Sequence, residues 1–188
     1  MENEIFNILN ENIRIKEGLK SQSSLIVEIS VIIIEAYRNE KKVVLFGNGG
    51  SAADSQHIAT EFVGKFYKER ESLPALALNT NTSSITATAN DFGYELIFER
   101  QVSSLVNSGD VVIGISTSGN SPNVIKGLEK AKEKGAIIIG FTGEKENKIE
   151  EITDYCLKIP STDTPRIQEG HITVGHIICY LVEKELFK

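Results

Sequence analysis

Lys42-Val-Val-Leu-Phe-Gly-Asn-Gly-Gly-Ser-Ala-Ala-Asp-Ser-Gln-His-Ile-Ala-Thr-Glu-Phe62 is the stretch on which the reading of this chain turns. Val43-Val-Leu-Phe46 is a short apolar run stopped by Gly47. That is the pattern of a parallel strand covered on both faces, where polar alternation is not required. Asn48, Gly49, Gly50 and Ser51 can take positive φ and bring backbone N–H groups up to a ligand, and Ser51 is the expected cap of the following helix. A helix N-terminus opened by glycines and a serine suits a phosphate or a carboxylate. On that helix His57 and Glu61 stand four residues apart, which puts both on one face a turn from each other.

Outward from this stretch the same unit recurs. Val111-Val-Ile-Gly-Ile115 is a second continuous apolar strand and runs into Ser116-Thr-Ser-Gly-Asn-Ser121, with a helix expected over 122–134 and Pro122 in its first turn. Further strands are expected at 73–78, 135–140 and 153–159, and helices at 83–89, 94–106 and 166–187. Ahead of them lie two helices, about 2–19 and 22–39, in which Ile5, Ile8, Leu9 and Ile13, then Leu25, Ile29, Ile32, Ile33 and Ala36, recur at helical spacing. Ser21 to Ser24 mark their junction and offer a cap. The second helix is apolar nearly all round, so it is expected to be buried from more than one side, by the sheet and by another subunit. Alternating strands and helices predict an α/β fold, a doubly wound five-stranded parallel sheet flanked by helices and preceded by an N-terminal helical pair. One domain spans 1–188, with 1–40 as helical leader and 41–188 as core. Ligands of such sheets bind beyond the carboxyl ends of the strands, so the turns at 47–51 and 116–121 should face one pocket.

Composition narrows the function classes. With 188 residues and 40% hydrophobic content the chain can bury a core without a disulfide or structural metal. A net charge of −6 without a basic cluster excludes a nucleic-acid surface and points to a small-molecule partner. Cys156 and Cys179 sit singly in apolar surroundings, as reduced thiols do in a cytoplasmic protein. Met1 leads into Glu2 and Glu4 without a signal-like segment, and no apolar run is long enough to span a bilayer.

Two constellations carry chemistry. Ser116, Thr117, Ser118 and Ser121 offer four hydroxyls and backbone amides ahead of a helix, able to wrap a phosphate without any lysine; the plain alternative is a capped serine-rich loop. The 48–51 turn has neither the spacing of a nucleoside-triphosphate loop nor that of a dinucleotide fold, which favours a sugar phosphate. A His57/Glu61 pair by itself is equally often a solvated helix face. On the last helix His171 reads as a satisfied structural residue, whereas His176 among Val174, Ile177 and Ile178 needs a reason.

Gly47-Asn-Gly-Gly-Ser51, His57 with Glu61, Asn90-Asp-Phe-Gly93, Gly114-Ile-Ser-Thr-Ser-Gly-Asn-Ser121, Phe141-Thr-Gly143, and Arg166-Ile-Gln-Glu with His171 and His176 together resemble the phosphoheptose isomerase family of the sugar-isomerase (SIS) fold group. The match runs over almost the whole chain. It implies interconversion of sedoheptulose 7-phosphate and D-glycero-D-manno-heptose 7-phosphate, the first step towards bacterial heptose units of lipopolysaccharide or capsule. By resemblance, Asn48, Gly49, Gly50, Ser51, Glu61, Asn90, Asp91, Ser116, Thr117, Ser118, Ser121 and Gln168 hold substrate. His57, Glu61, Gln168 and His176 match a metal site, usually zinc, and Glu61 and His176 the acid/base pair. Pro165 stands where some members carry an aspartate. The chemistry is coherent: moving a carbonyl between C1 and C2 needs a base to shuttle a proton, with Glu61 in that role, and an acid for the enediol oxygens, with His176 in that role. Zinc would polarise the carbonyl.

Other readings are a non-catalytic SIS adaptor, a sugar-phosphate sensor, or an isomerase of another ketose phosphate. The adaptors lack the helix glutamate and the late histidine, and here Glu61, Ser118 and His176 are all present. The family resemblance also implies a homotetramer. Gln168 and His176, eight residues apart, would lie about 12 Å apart along one helix, too far for one ion bound at about 2 Å unless Gln168 precedes the helix proper. The expectation is therefore that different chains supply residues of one site, with Glu61 and His176 on different subunits.

Overall fold

The computed structural model describes residues 1–188. Five parallel strands lie in the order β2-β1-β3-β4-β5: β1 (Val43–Gly47), β2 (Ala75–Ala77), β3 (Val111–Ile115), β4 (Ile137–Gly143) and β5 (Tyr155–Ile159). The helices are α1 (Glu2–Gly18), α2 (Ser23–Arg38), α3 (Gly50–Val63), α4 (Thr82–Phe92), α5 (Ile97–Leu105), α6 (Pro122–Glu133), α7 (Lys148–Ile152) and α8 (Thr164–Leu186).

Both faces of the sheet are covered, which is why its central strands read as unbroken apolar runs. Val43 and Leu45 of β1, Val111, Ile113 and Ile115 of β3, and Ile139 and Phe141 of β4 face a core shared with Ile29 and Ile33 of α2, Ile58 and Phe62 of α3, and Val174 and Ile178 of α8. The intervening Val44, Phe46, Val112 and Ile138 face Phe98 and Val102 of α5 and Val124 and Leu128 of α6. From β1 the chain moves outward to β2 and then returns to β3 on the other side of β1. The order therefore reverses between β1 and β3, whose carboxyl ends carry the two small-residue loops.

The structure corrects several local expectations. A 3-10 segment, Leu19–Gln22, joins α1 to α2, and Gln22 occupies the α2 N-cap without any side-chain cap. Edge strand β2 is shorter than its apolar run because Pro74 has no N–H to give and contributes only its carbonyl, to Val43 N. β4 continues through Phe141 and Thr142 to Gly143 because β5 pairs along it, and the unforeseen α7 is capped by Asn147 accepting from Glu150 N. α4 runs through Phe92 and stops at Gly93, whose φ of +99° needs glycine, so Asn90 and Asp91 are helical. Residues 94–105 divide into a 3-10 turn and α5.

The apolar stripe of α1 is uncovered in this chain: Ile5, Phe6, Ile8, Leu9 and Ile13 are exposed, as are Val27 and Val31 of α2. Ile177 of α8 is exposed too. No helix is long and apolar enough to cross a membrane.

Candidate active site

The turn after β1 is shaped by sterics. Gly49 caps α3 in a left-handed conformation at φ +56°. A Cβ on Gly47 would come within 2.7 Å of Ile115 O, and one on Gly50 within 2.3 Å of Gln168 Nε2. Asn48 turns across to α6 in a reciprocal amide pair with buried Asn123, each Nδ2 donating to the other's Oδ1 at 2.9 Å. The Tyr94 hydroxyl donates to Asn48 Oδ1 at 3.1 Å. Ser51 departs from expectation: it lies inside α3, buried against Gly47, and caps nothing. The close fit of β1 to β3 leaves its side chain nowhere else to go.

Beyond β3, the Ser116 hydroxyl lies 3.0 Å from that of Ser121 and 3.4 Å from that of Ser118. Ser118 Oγ also accepts from Asn120 N, and Thr117 O from Gly143 N. Ser121 sits at the N-cap of α6 without spending its hydroxyl on a cap. Three hydroxyls thus converge at a helix N-terminus, an arrangement suited to an anion bound by neutral donors. A cavity of about 220 Å³ opens beside them, lined by Thr117, Ser118, Lys145, Ser161 and Thr164 among others.

At the other end of α3, His57 Nε2 is 3.2 Å from Glu61 Oε1 and 3.3 Å from His176 Nε2, the latter 119 residues away in sequence. The ligating atoms of His57, Glu61 and His176 all lie within 4.8 Å of one another. Four ligands at 2.0–2.1 Å around a tetrahedral zinc are about 3.3 Å apart, a spacing that the His57–Glu61 and His57–His176 separations match. The Phe66 ring packs on His176 at 5.6 Å.

Glu61 and His176 meet within a single chain, which overturns the expectation that they belong to different subunits. The helix-axis argument separates a different pair. Gln168 and His176 both lie in α8, and Gln168 rests on Gly50 at the glycine turn, about two helical turns from the His/Glu cluster. Asn90 and Asp91 are exposed at the end of α4, hydrogen-bonded to each other and not to either loop.

Spacing also missed three groups. Asp54, one turn before His57, has a buried Oδ2 without a partner; burial pushes its carboxyl up to about 6, with His57 drawing it back. Its i,i+3 relation to His57 was a usable signal. Tyr94 and Asn123 reach Asn48 only through the packing of α4, α5 and α6, and no local pattern marks them. His171, expected to be a satisfied structural residue, is fully buried but only half satisfied: Nε2 donates to Thr142 O at 3.1 Å while Nδ1 has no partner, and burial lowers it to about 4, so it is neutral. Both cysteines are free, Cys179 buried and Cys156 half-buried.

Comparison with known proteins identifies the family. A family profile described as SIS domain matches residues 9–143. A phosphoheptose isomerase of Aneurinibacillus thermoaerophilus is 52% identical over 183 residues, covering 96% of this chain and 92% of the relative. Phosphoheptose isomerase 2 of Campylobacter jejuni is 53% identical over 180 residues, covering 94% and 90%. The solved phosphoheptose isomerase of Neisseria gonorrhoeae superposes with a TM-score of 0.92 at 37% identity, covering 97% of this chain and 98% of that one. With identity above half over nearly the full length and one shared fold, the chain belongs to the phosphoheptose isomerases of the SIS domain family.

Proposed function

We propose that this chain interconverts sedoheptulose 7-phosphate and D-glycero-D-manno-heptose 7-phosphate by proton transfer through an enediol, supplying heptose for a bacterial surface glycan. The observation that carries this reading is the meeting of Glu61 and His57 of α3 with His176 of α8, within 4.8 Å, while the other end of α3 borders a neutral hydroxyl cradle. An anion held at Ser116, Ser118 and Ser121 fixes one end of the sugar chain, and the cradle contributes position. Glu61 turns Oε1 to His57, which leaves Oε2 for the proton exchanged between C1 and C2. His176, on the facing helix, donates the proton to the enediol oxygens in this reading. Gln168 lies against the glycine turn, which supports a substrate contact there.

His57, Glu61 and His176 would hold one zinc, and their spacing supports it. Bound there, zinc supplies Lewis-acid polarisation of the carbonyl. A homotetramer is supported by the bare apolar faces of α1 and α2, and a cytoplasmic setting by the two unpaired cysteines.

A coupled assay with purified, zinc-loaded protein on sedoheptulose 7-phosphate is the test. Turnover that falls on chelation and returns with zinc is expected. A flat trace from folded, metal-loaded protein would remove the enzyme reading, and turnover of another ketose phosphate alone would reassign the substrate.

A further inference from the structure

Between α3 and β2 the chain runs as an irregular strap, residues 64–74, over the C-terminal half of α8. Its anchor is an ion pair almost without solvent contact: Arg70 Nε lies 3.1 Å from Glu183 Oε2, with the side chains 2% and 3% exposed. Every remaining hydrogen bond of the pair goes to backbone. Arg70 Nη2 donates to Glu61 O at 2.9 Å and Nη1 to Phe62 O at 2.8 Å and Glu71 O at 2.9 Å. Glu183 accepts from three successive amides, Phe66 N at 3.0 Å, Tyr67 N at 2.8 Å and Lys68 N at 3.0 Å.

The backbone groups chosen are informative. The last carbonyls of a helix have no partner within it and the last turn frays unless something satisfies them. Here two of those carbonyls, one of them that of Glu61 itself, are held by Arg70. Glu183 is seven residues, about two turns, beyond His176 on α8. The same three amides fix the strap segment whose Phe66 ring lies against His176. One buried pair thus ties the helix end bearing Glu61, the helix bearing His176 and the residue packed on His176. A buried pair of this kind is weak as a source of net stability, because desolvation offsets its attraction and apolar replacements are often as stable. Its directional bonds are what an apolar pair could not supply.

We infer that Arg70 and Glu183 are positioning residues for the isomerase site: together they set the register of α3 against α8 and so the approach of Glu61 and His57 to His176, without touching substrate. The inference rests on the proposed function for its kinetic consequence, but its geometric consequence, the affinity of the three-residue cluster for metal, can be read independently.

Three variants test it: Arg70→Lys, which keeps the charge but cannot span Glu183 and two carbonyls; Glu183→Gln, which keeps one acceptor; and the double variant Arg70→Met with Glu183→Met, which removes both charges and so avoids an unpaired one. Turnover on sedoheptulose 7-phosphate, zinc affinity by competition with a chromophoric chelator, and melting temperature are measured for each. The expected result is a kcat lower by about 100-fold with KM within about threefold, and zinc binding weaker by about 10-fold or more. In the double variant the melting temperature should return towards wild type while kcat and zinc affinity do not. Native kcat and zinc affinity in Arg70→Lys or the double variant would overturn the inference and leave the pair as packing. If wild type were inactive on this sugar, the functional reading would fall, while the zinc affinities would still decide whether the pair organises the cluster.

Discussion

At its N-terminus α3 begins from a left-handed Gly49 beside three converging serine hydroxyls; in its last turn, before it ends at Val63, stands Glu61, whose carbonyl is gripped by a buried arginine. The first end is made of backbone and neutral hydroxyls, with its anion-facing groups drawn from two short loops. The second is made of ionisable side chains that meet only because α8 crosses α3, and a buried ion pair holds it. The difference divides the work. A cradle of neutral donors can hold a phosphate without perturbing the protonation of its surroundings, while proton transfer requires a base and an acid whose spacing is set from outside the active residues. Substitutions at the two ends should therefore separate kinetically, the first in KM and the second in kcat.

The sharpest way to break this comparison is Glu61→Gln. The amide keeps the size of the side chain but cannot take the proton, so kcat should fall by about 10²–10⁴ with a native circular dichroism spectrum. The Glu61 side chain is partly exposed. Near wild-type turnover would make this end of α3 a structural contact only.

A second test acts on the joint between the two ends. His171 fastens α8 to β4 through Thr142 O, and the next residue, Gly143, donates to Thr117 O of the serine loop. Burial lowers His171 to about 4 from an ordinary 6.5. The unfolded chain therefore takes up a proton here before the folded one does, so the stabilisation is complete above pH 6.5 and is lost as pH falls towards 4. The loss amounts to about 3 kcal/mol at this one site. Denaturant unfolding of wild type and His171→Gln across that range should show the steeper pH dependence in wild type. Parallel curves would mean that the joint carries no such linkage.

The smallest effect is expected at the cradle. Ser121→Ala removes one hydroxyl, a net hydrogen bond of about 0.5–1.5 kcal/mol, so KM should rise by about 2- to 10-fold with kcat nearly unchanged. A loop position of this kind should cost no more than about 0.5 kcal/mol in stability. Unchanged KM with a marked fall in melting temperature would show that the hydroxyls brace the loop and do not bind.

How far each end was legible follows from the same division. The strands announced themselves because a parallel sheet covered on both faces admits apolar residues at every position, as at Val43 to Phe46 and Val111 to Ile115. The glycine turn was legible because its backbone conformation and close approaches exclude side chains, a constraint written into residue type. Ser51 shows where such reading stops. A serine beside glycines has the composition of a cap, but the closeness of β1 to β3 turned it inward. The short α7 escaped notice because Asn147, its cap, precedes only five helical residues, too few for a periodic signal.

By itself, then, the sequence determined the layered α/β architecture and the two small-residue loops at strand ends, since periodicity and backbone sterics are properties of short stretches, and the family resemblance singled out His57, Glu61 and His176 as candidates. Tertiary structure alone decided that the two histidines and the glutamate meet in one chain, that Gln168 stays two turns away over Gly50, and that Arg70 and Glu183 lock the meeting in place. Those outcomes depend on where two helices cross. Crossing points are set by the packing of the whole interface between α3, α8 and the sheet, and no window of sequence contains that information.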